Sequence, residues 1–178
     1  MNLWEKQVKR QRLLGAFLLT VAGCTAQAEG FYLGASAGIM DADIGGFDEA
    51  TNAGVLAGYD VFTREIFSVS LEGELTTTVS DGDVEFGGTK GDWDIDTQAA
   101  FVAARLGDSF YIKVRYGVVR SDVSVSIAGT TVNGNDTSGS WGGALGWMYN
   151  RNWGVQVDGT LADSDVTYWN AGIKYQFQ

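Results

Sequence analysis

The sequence predicts an all-β chain: an eight-stranded antiparallel up-and-down transmembrane β-barrel that follows an N-terminal export segment. Three observations carry this reading. Apolar residues recur at every second position over eight stretches, each about 9–12 residues long, which is the length that crosses a bilayer when tilted. The charged residues of these stretches fall mainly on the opposite faces. The connections between stretches alternate between short and long. Composition agrees. Of 178 residues, 45% are hydrophobic, 19% are charged, 25 are glycine and 22 are aromatic, and there is no proline. Low charge and abundant glycine exclude a coiled coil and a disordered acidic chain.

The first segment reads as an address. Lys6, Lys9, Arg10 and Arg12 precede an uncharged run from Leu13 to Gly23, and Ala26-Gln27-Ala28 offers a small-x-small cleavage site. This is the layout of a secretory signal peptide read by the Sec pathway. The 11-residue run is shorter than the about 20 residues a transmembrane helix needs. A competing site exists, because Val21-Ala22-Gly23-Cys24 resembles a lipobox in which Cys24 would be lipidated. With cleavage after Ala28, residues 1–28 are the signal peptide and 29–178 the barrel domain. That domain keeps 8 basic and 21 acidic residues, a net charge of −13, and no cysteine.

Each strand follows from period-two patterning. Phe31 to Met40 groups Phe31, Leu33, Ala35, Ala37 and Ile39. Asn52 to Val61 groups Ala53, Val55, Ala57 and Tyr59. Phe67 to Ser80 is the clearest case: Phe67, Val69, Leu71 and Leu75 share one face, and Ser68, Ser70, Glu72, Glu74, Thr76 and Thr78 the other. Trp93 to Arg105 groups Trp93, Ile95, Thr97, Ala99, Phe101 and Ala103 as its lipid face, leaving Asp94 and Asp96 opposite. The fifth strand, from Phe110, sets Ile112, Val114, Tyr116 and Val118 against Tyr111, Lys113 and Arg115. Trp141 to Tyr149, Trp153 to Leu161 and Thr167 to Phe177 complete the set.

The connections Phe62 to Ile66, Gly107 to Ser109 and Asn150 to Asn152 are short. Asp41 to Thr51, Ser80 to Asp92 and Ser121 to Ser140 are longer and polar. Short turns on one rim and long loops on the other suit a meander whose termini share the turn side. Val123, Val125 and Ile127 alternate inside the third long connection, so a hairpin there would project beyond the membrane.

The position of the charges separates lipid from water as the outer solvent. A Lys or Arg facing lipid at midplane costs about 2–4 kcal/mol. The polar faces therefore point inward, where eight strands leave a lumen that side chains fill. Glu72 and Glu74 are expected to meet Lys113 and Arg115 across it, with Asp94 and Asp96 between, as a lumen charge network. The alternative, a soluble periplasmic barrel with its apolar face inward, crowds Trp141, Trp147, Trp153 and Trp169 into one small interior.

At this point the chain resembles a known family. Glu29-Gly30-Phe31-Tyr32-Leu33-Gly34-Ala35-Ser36-Ala37-Gly38 is similar to the first strand of small outer membrane β-barrel proteins, a family that includes the outer membrane protein A transmembrane domain and porin-like and opacity-type relatives. Ala171-Gly172-Ile173-Lys174-Tyr175-Gln176-Phe177-Gln178 resembles their C-terminal insertion signal, carried by Ile173, Tyr175 and Phe177. The family's signal ends on an aromatic, whereas Gln178 follows Phe177 here. The resemblance implies a site in the Gram-negative outer membrane. It also implies contact with lipid and lipopolysaccharide, handling by periplasmic chaperones and the barrel assembly machinery, and a monomer. No peptidoglycan-binding module is expected after Gln178.

Three function classes follow. The first is a non-enzymatic envelope or surface-interaction protein, adhesin-like by resemblance, that offers acidic loops to a host or surface ligand. The second is a small porin or ion channel, with the inner charges setting ion preference. The third, an enzyme, lacks its chemistry: no histidine is present, and Glu72 with Glu74 more simply neutralise Lys113 and Arg115. No cofactor, metal centre or nucleic-acid partner is expected, since phosphate would be repelled by this acidic chain. Two smaller expectations concern the loops. Asp81-Gly82-Asp83 lacks the spacing of a calcium loop, and Arg120 is either a solvated rim residue or a contact for a lipopolysaccharide phosphate.

Overall fold

A computed structural model describes residues 30–42, 48–86, 88–127, 130–163 and 166–178. The expected signal peptide, Cys24 and Asp43 lie outside the described residues. Nine strands occur among the described residues: β1 (Phe31–Ala42), β2 (Ala50–Arg64), β3 (Phe67–Ser80), β4 (Gly82–Phe86), β5 (Thr89–Gly107), β6 (Phe110–Ile127), β7 (Thr130–Met148), β8 (Trp153–Asp163) and β9 (Val166–Gln176). Every neighbouring pair is antiparallel. The first strand pairs with the last, Ala37 opposite Ala171, and β3 pairs with β5, Gly73 opposite Ala100. Those two seams close eight strands into a barrel and remove the edges that hydrocarbon does not tolerate.

The ninth strand, β4, falls in the connection expected to be a loop. It turns back on the outer half of β5, Val84 opposite Gly91. Likewise the expected loop Ser121 to Ser140 is mostly strand. The pairing of β6 with β7 runs without a shift from Phe110 opposite Trp147 to Ile127 opposite Thr130. The outer halves of β5, β6 and β7 therefore stand above the rest of the barrel as one sheet. The opposite rim is tight: β2 turns into β3 through Glu65 and Ile66, with Glu65 at φ 51°.

Side-chain direction follows the expected alternation on seven of the eight barrel strands. Phe110, Ile112, Val114, Tyr116 and Val118 are exposed, whereas Tyr111, Lys113 and Arg115 are buried. The outward faces carry two aromatic girdles. Phe110 and Trp147 stack at 5.7 Å near the turn end, and Trp153 meets Tyr175 edge-on at 4.9 Å. Tyr116, Trp141 and Trp169 lie six residues further along their strands, about 20 Å at the rise of a strand. Between the girdles, no described outward residue is charged.

On β5 the expected faces are reversed. Trp93, Ile95, Thr97, Phe101 and Ala103 are buried, and Asp94, Asp96, Gln98, Ala100 and Val102 take the outward side. Two causes combine. The outer half of β5 stands in the projecting sheet, where water surrounds the protein and apolar residues turn inward. In the lower half both faces are apolar, and Phe101 finds room inside because its cross-strand partner on β6 is Gly117. A β-carbon at Gly117 would collide with the Phe101 ring. Trp93, expected on the lipid face, instead sits at 2% exposure in an apolar cluster with Met40, Ala50, Val84, Ile95 and Tyr168.

Candidate functional site

The lumen is built from inward side chains that the barrel's closure brings together. Among the described residues, four acids and four bases face it: Asp60, Glu72, Glu74 and Asp158 with Arg105, Lys113, Arg115 and Lys174. Lys113 Nζ donates to Glu72 Oε1 at 2.9 Å and lies 3.8 Å from Asp158. Arg115 Nη1 donates to Glu74 Oε2 at 2.6 Å, and its Nη2 donates to Thr160. Tyr32 OH donates to Glu72 Oε1 at 2.6 Å. Gln156 links Tyr111 to Asp158 through bonds of 2.8 Å. The guanidinium of Arg115 lies 4.4 Å from the Phe101 ring centre, and Lys174 Nζ sits 3.5 Å from that of Tyr32, so aromatic faces complete the cation shell.

Balanced charge makes this burial tolerable. A desolvated ion is costly unless its partners and hydrogen bonds are in place, and here each carboxylate meets at least one donor. Aromatic packing depends on glycine. Tyr32 lies opposite Gly58 and Tyr111 opposite Gly146, and a β-carbon at either glycine would overlap the phenol ring. A cavity beside Lys174 measures about 20 Å³ and is bordered by Ser36, Glu74, Gln156, Asp158 and Asn170. That is room for about one water molecule.

The structure brings together four of the six residues named from sequence: Glu72, Glu74, Lys113 and Arg115. Asp94 and Asp96 do not join them. They lie on the outward side of β5 beyond the girdles, and Thr77 Oγ1 donates to Asp96 at 2.7 Å. Periodicity places Asp158 and Lys174 on polar faces, but only closure of the sheet puts β8 and β9 within reach of β3. Arg105, at an expected lipid-side strand end, instead points inward to Asp60 at 3.5 Å and Ser68 at 3.1 Å. The C-terminal residues Ile173 and Tyr175 face outward, and the Phe177 ring packs on Tyr175 at 4.9 Å and Phe31 at 5.5 Å.

Above the lumen, the apolar cluster forms a cap. Val84 reaches it from β4, and Val123, Val125, Ile127 and Val166 pack around it. Trp93 Nε1 donates to the Asp48 carbonyl at 2.8 Å, and the Asp48 N–H donates to the Asp83 carbonyl at 2.8 Å. Thr78 Oγ1 donates to the Ile95 carbonyl and accepts from its N–H, both at 2.9 Å.

Outside the cap the projecting sheet is acidic. In register across β5, β6 and β7 stand Asp96, Asp122 and Asn135, then Asp94, Ser124 and Asn133. Counting every described residue at this end, twelve Asp or Glu face only Lys90 and Arg120. Arg120 is exposed and lies 3.8 Å from Asp122. Among the described residues, no group of three or more acidic, His or Cys side chains could hold a metal ion.

Residues 13–177 match the family model described as the outer membrane protein beta-barrel domain. A search of curated proteins finds no match. Among solved structures, the chain is similar to Ail, the attachment invasion locus protein of Yersinia pestis. That match has 17% identity and a TM-score of 0.56, and covers 84% of this chain and 99% of that one. Neisserial surface protein A matches at 15% identity and a TM-score of 0.57, over 84% and 98% of the two chains. The N-terminal β-barrel domain of Pseudomonas aeruginosa OprF matches at 13% identity and a TM-score of 0.54, over 85% and 100%. These likenesses establish the architecture.

Proposed function

The chain belongs to the outer membrane protein β-barrel domain family, and from that premise we propose that it is a non-enzymatic surface-interaction protein working through its projecting sheet. The barrel sits in the outer membrane, and its apolar outward faces supply the anchor. One observation carries the reading: the lumen is filled while the loop end is extended. Glu72, Glu74, Lys113 and Arg115 occupy the middle, and the cap of Met40, Val84, Trp93 and Ile95 covers one mouth. By contrast, β5, β6 and β7 continue as regular strand beyond the girdles. Investment in structure above the membrane suits contact with something outside.

Export by residues 1–28, insertion guided by Ile173, Tyr175 and Phe177, and encounters with chaperones and the assembly machinery belong to the same reading. So does lipopolysaccharide as the surrounding lipid. Ail has been crystallised with the heparin analogue sucrose octasulfate. For the present chain, the net negative loop end favours ligands of the opposite charge sign. The porin alternative requires a continuous aqueous path, which the ion pairs of Glu72, Glu74, Lys113 and Arg115 across the lumen oppose.

Two measurements test the reading together. Cells displaying the chain are compared with cells displaying a version in which residues 121–138 are replaced by a tight turn, and attachment to matrix-coated surfaces is scored. The short version should insert, show a heat-modifiable gel shift and attach less. Equal attachment by both would refute surface interaction through the sheet. Planar-bilayer recordings should show no steady conductance; an ohmic pore would favour transport instead.

A further inference from the structure

The outer part of β7, Thr130 to Thr137, pairs with β6 on one side. On its other side no strand pairs with it among the described residues, because the pairing of β7 with β8 begins only at Trp141 opposite Leu161. Soluble sheets usually blunt such an edge with Lys, Pro or a bulge. This segment has none of these: Thr-Thr-Val-Asn-Gly-Asn-Asp-Thr is flat in register and its one charge is Asp136. Val132 is 66% exposed.

We propose that this edge is a docking site for an extended, basic segment of a partner protein, which adds to the sheet as a further strand. The inference rests on the surface-interaction reading and names the partner's chemistry. Charge complementarity selects the occupant. The outward face beside the edge carries Asp94, Asp96 and Asp122, with Asn133 and Asn135 on β7 itself in the same rows. The opposite face turns Val123, Val125 and Val132 the other way, Val125 opposite Val132, and Asp136 shares that face opposite Ser121. An added strand continues both faces, so its side chains alternate between basic on the outward side and small or apolar on the other, with one basic residue beside Asp136. A second copy of this chain would bring another strongly acidic sheet against the first, which like-charge repulsion opposes.

The experiment uses the folded protein in lipid nanodiscs and three synthetic decapeptides: alternating lysine and valine, alternating serine and valine, and the lysine–valine composition in two blocks. Binding is followed by fluorescence anisotropy, and contact by amide hydrogen exchange. The alternating basic peptide should bind, protect amides within Thr130 to Thr137, and weaken about tenfold when salt rises from low to physiological strength. Asp96→Asn combined with Asp122→Asn should weaken it severalfold without altering the heat-modifiable gel shift. Consecutive strand residues turn their N–H groups to opposite edges. Of Asn133→Pro and Gly134→Pro, the one facing the free edge should therefore abolish protection while leaving the ladder to β6 intact.

Equal binding of the serine–valine peptide would overturn the basic character. Equal binding of the block peptide, or binding without protection at Thr130 to Thr137, would overturn strand addition. Protection of that segment when two nanodisc populations are mixed without peptide would assign the edge to a second copy. If the edge-facing proline variant still attaches to matrix-coated surfaces like the unaltered chain, the docking site falls while the surface-interaction reading stands.

Discussion

The middle of the barrel and its cap obey opposite rules. In the middle, ions are inside and apolar groups outside: Lys113 meets Glu72 at 2.9 Å while Val114, the next residue, is 62% exposed. In the cap, apolar groups are inside and acids outside: Ile95 is 1% exposed while Asp94 and Asp96 take the outward side. Both arrangements occur on the same strands. Along β5 the inward face passes from Trp93 and Ile95 through Thr97 to Phe101 beside Arg115. The solvent beyond the wall changes from water to hydrocarbon along that path, and residue choice changes with it. Inside–outside polarity is thus a property of height along a strand rather than of the strand.

The comparison can be broken in several ways. The largest effect is expected at Arg115. Arg115→Ala leaves Glu74 buried with its main partner gone, so the unfolding free energy in detergent–urea titration should fall by about 3–5 kcal/mol. An unchanged midpoint would mean that the inner ions are hydrated rather than packed. Trp93→Ala removes a buried ring from the cap, at a local cost of about 3 kcal/mol. Faster amide exchange at Val84, Ile95 and Val125 should accompany an intact heat-modifiable barrel. Loss of the gel shift would mean that the cap and the barrel fold as one unit. An outward lysine sharpens the boundary between the two regions. Leu145→Lys, between the girdles, should cost about 2–4 kcal/mol, whereas Ser124→Lys, above them, should cost almost nothing. Similar costs at the two sites would erase the boundary. The smallest effect is expected at Gly117→Ala, where the new β-carbon meets the Ala100 carbonyl first and then Phe101, and a destabilisation of about 1–3 kcal/mol is expected. A neutral result would show that the β5 and β6 backbones can part locally beside Ala100 and Phe101.

Much of this was legible in the sequence because lipid imposes a strict alternation. Phe67 to Val79 and Phe110 to Val118 could face only one way once Glu72, Glu74, Lys113 and Arg115 were recognised as unable to face hydrocarbon. The β5 strand was less legible. Its lower half, Ala99 to Ala104, is apolar on both faces, so alternation there carries no direction. Its upper half is amphipathic in the sense proper to water, with Trp93 and Ile95 inward. Reading the whole strand by the lipid rule turned Asp94 and Asp96 into the lumen. The projecting sheet was partly legible, since Val123, Val125 and Ile127 alternate. The β4 strand was not, because Gly82 to Phe86 is short and becomes a strand only by pairing with β5. The aromatic–glycine pairs, such as Tyr32 with Gly58, depend on register between strands, which no single stretch of sequence specifies.

The central claim is that hydrocarbon surrounds the middle of the barrel and water surrounds the cap. The most direct test places single cysteines, each carrying a spin label, at outward positions along β6: Ile112, Val114, Asp122 and Ser124. Collision with oxygen and with a water-soluble nickel chelate is then measured in bilayers. Labels at 112 and 114 should favour oxygen, and labels at 122 and 124 should favour the nickel chelate. Strong nickel collision at 114, with oxygen preference lost, would contradict the account.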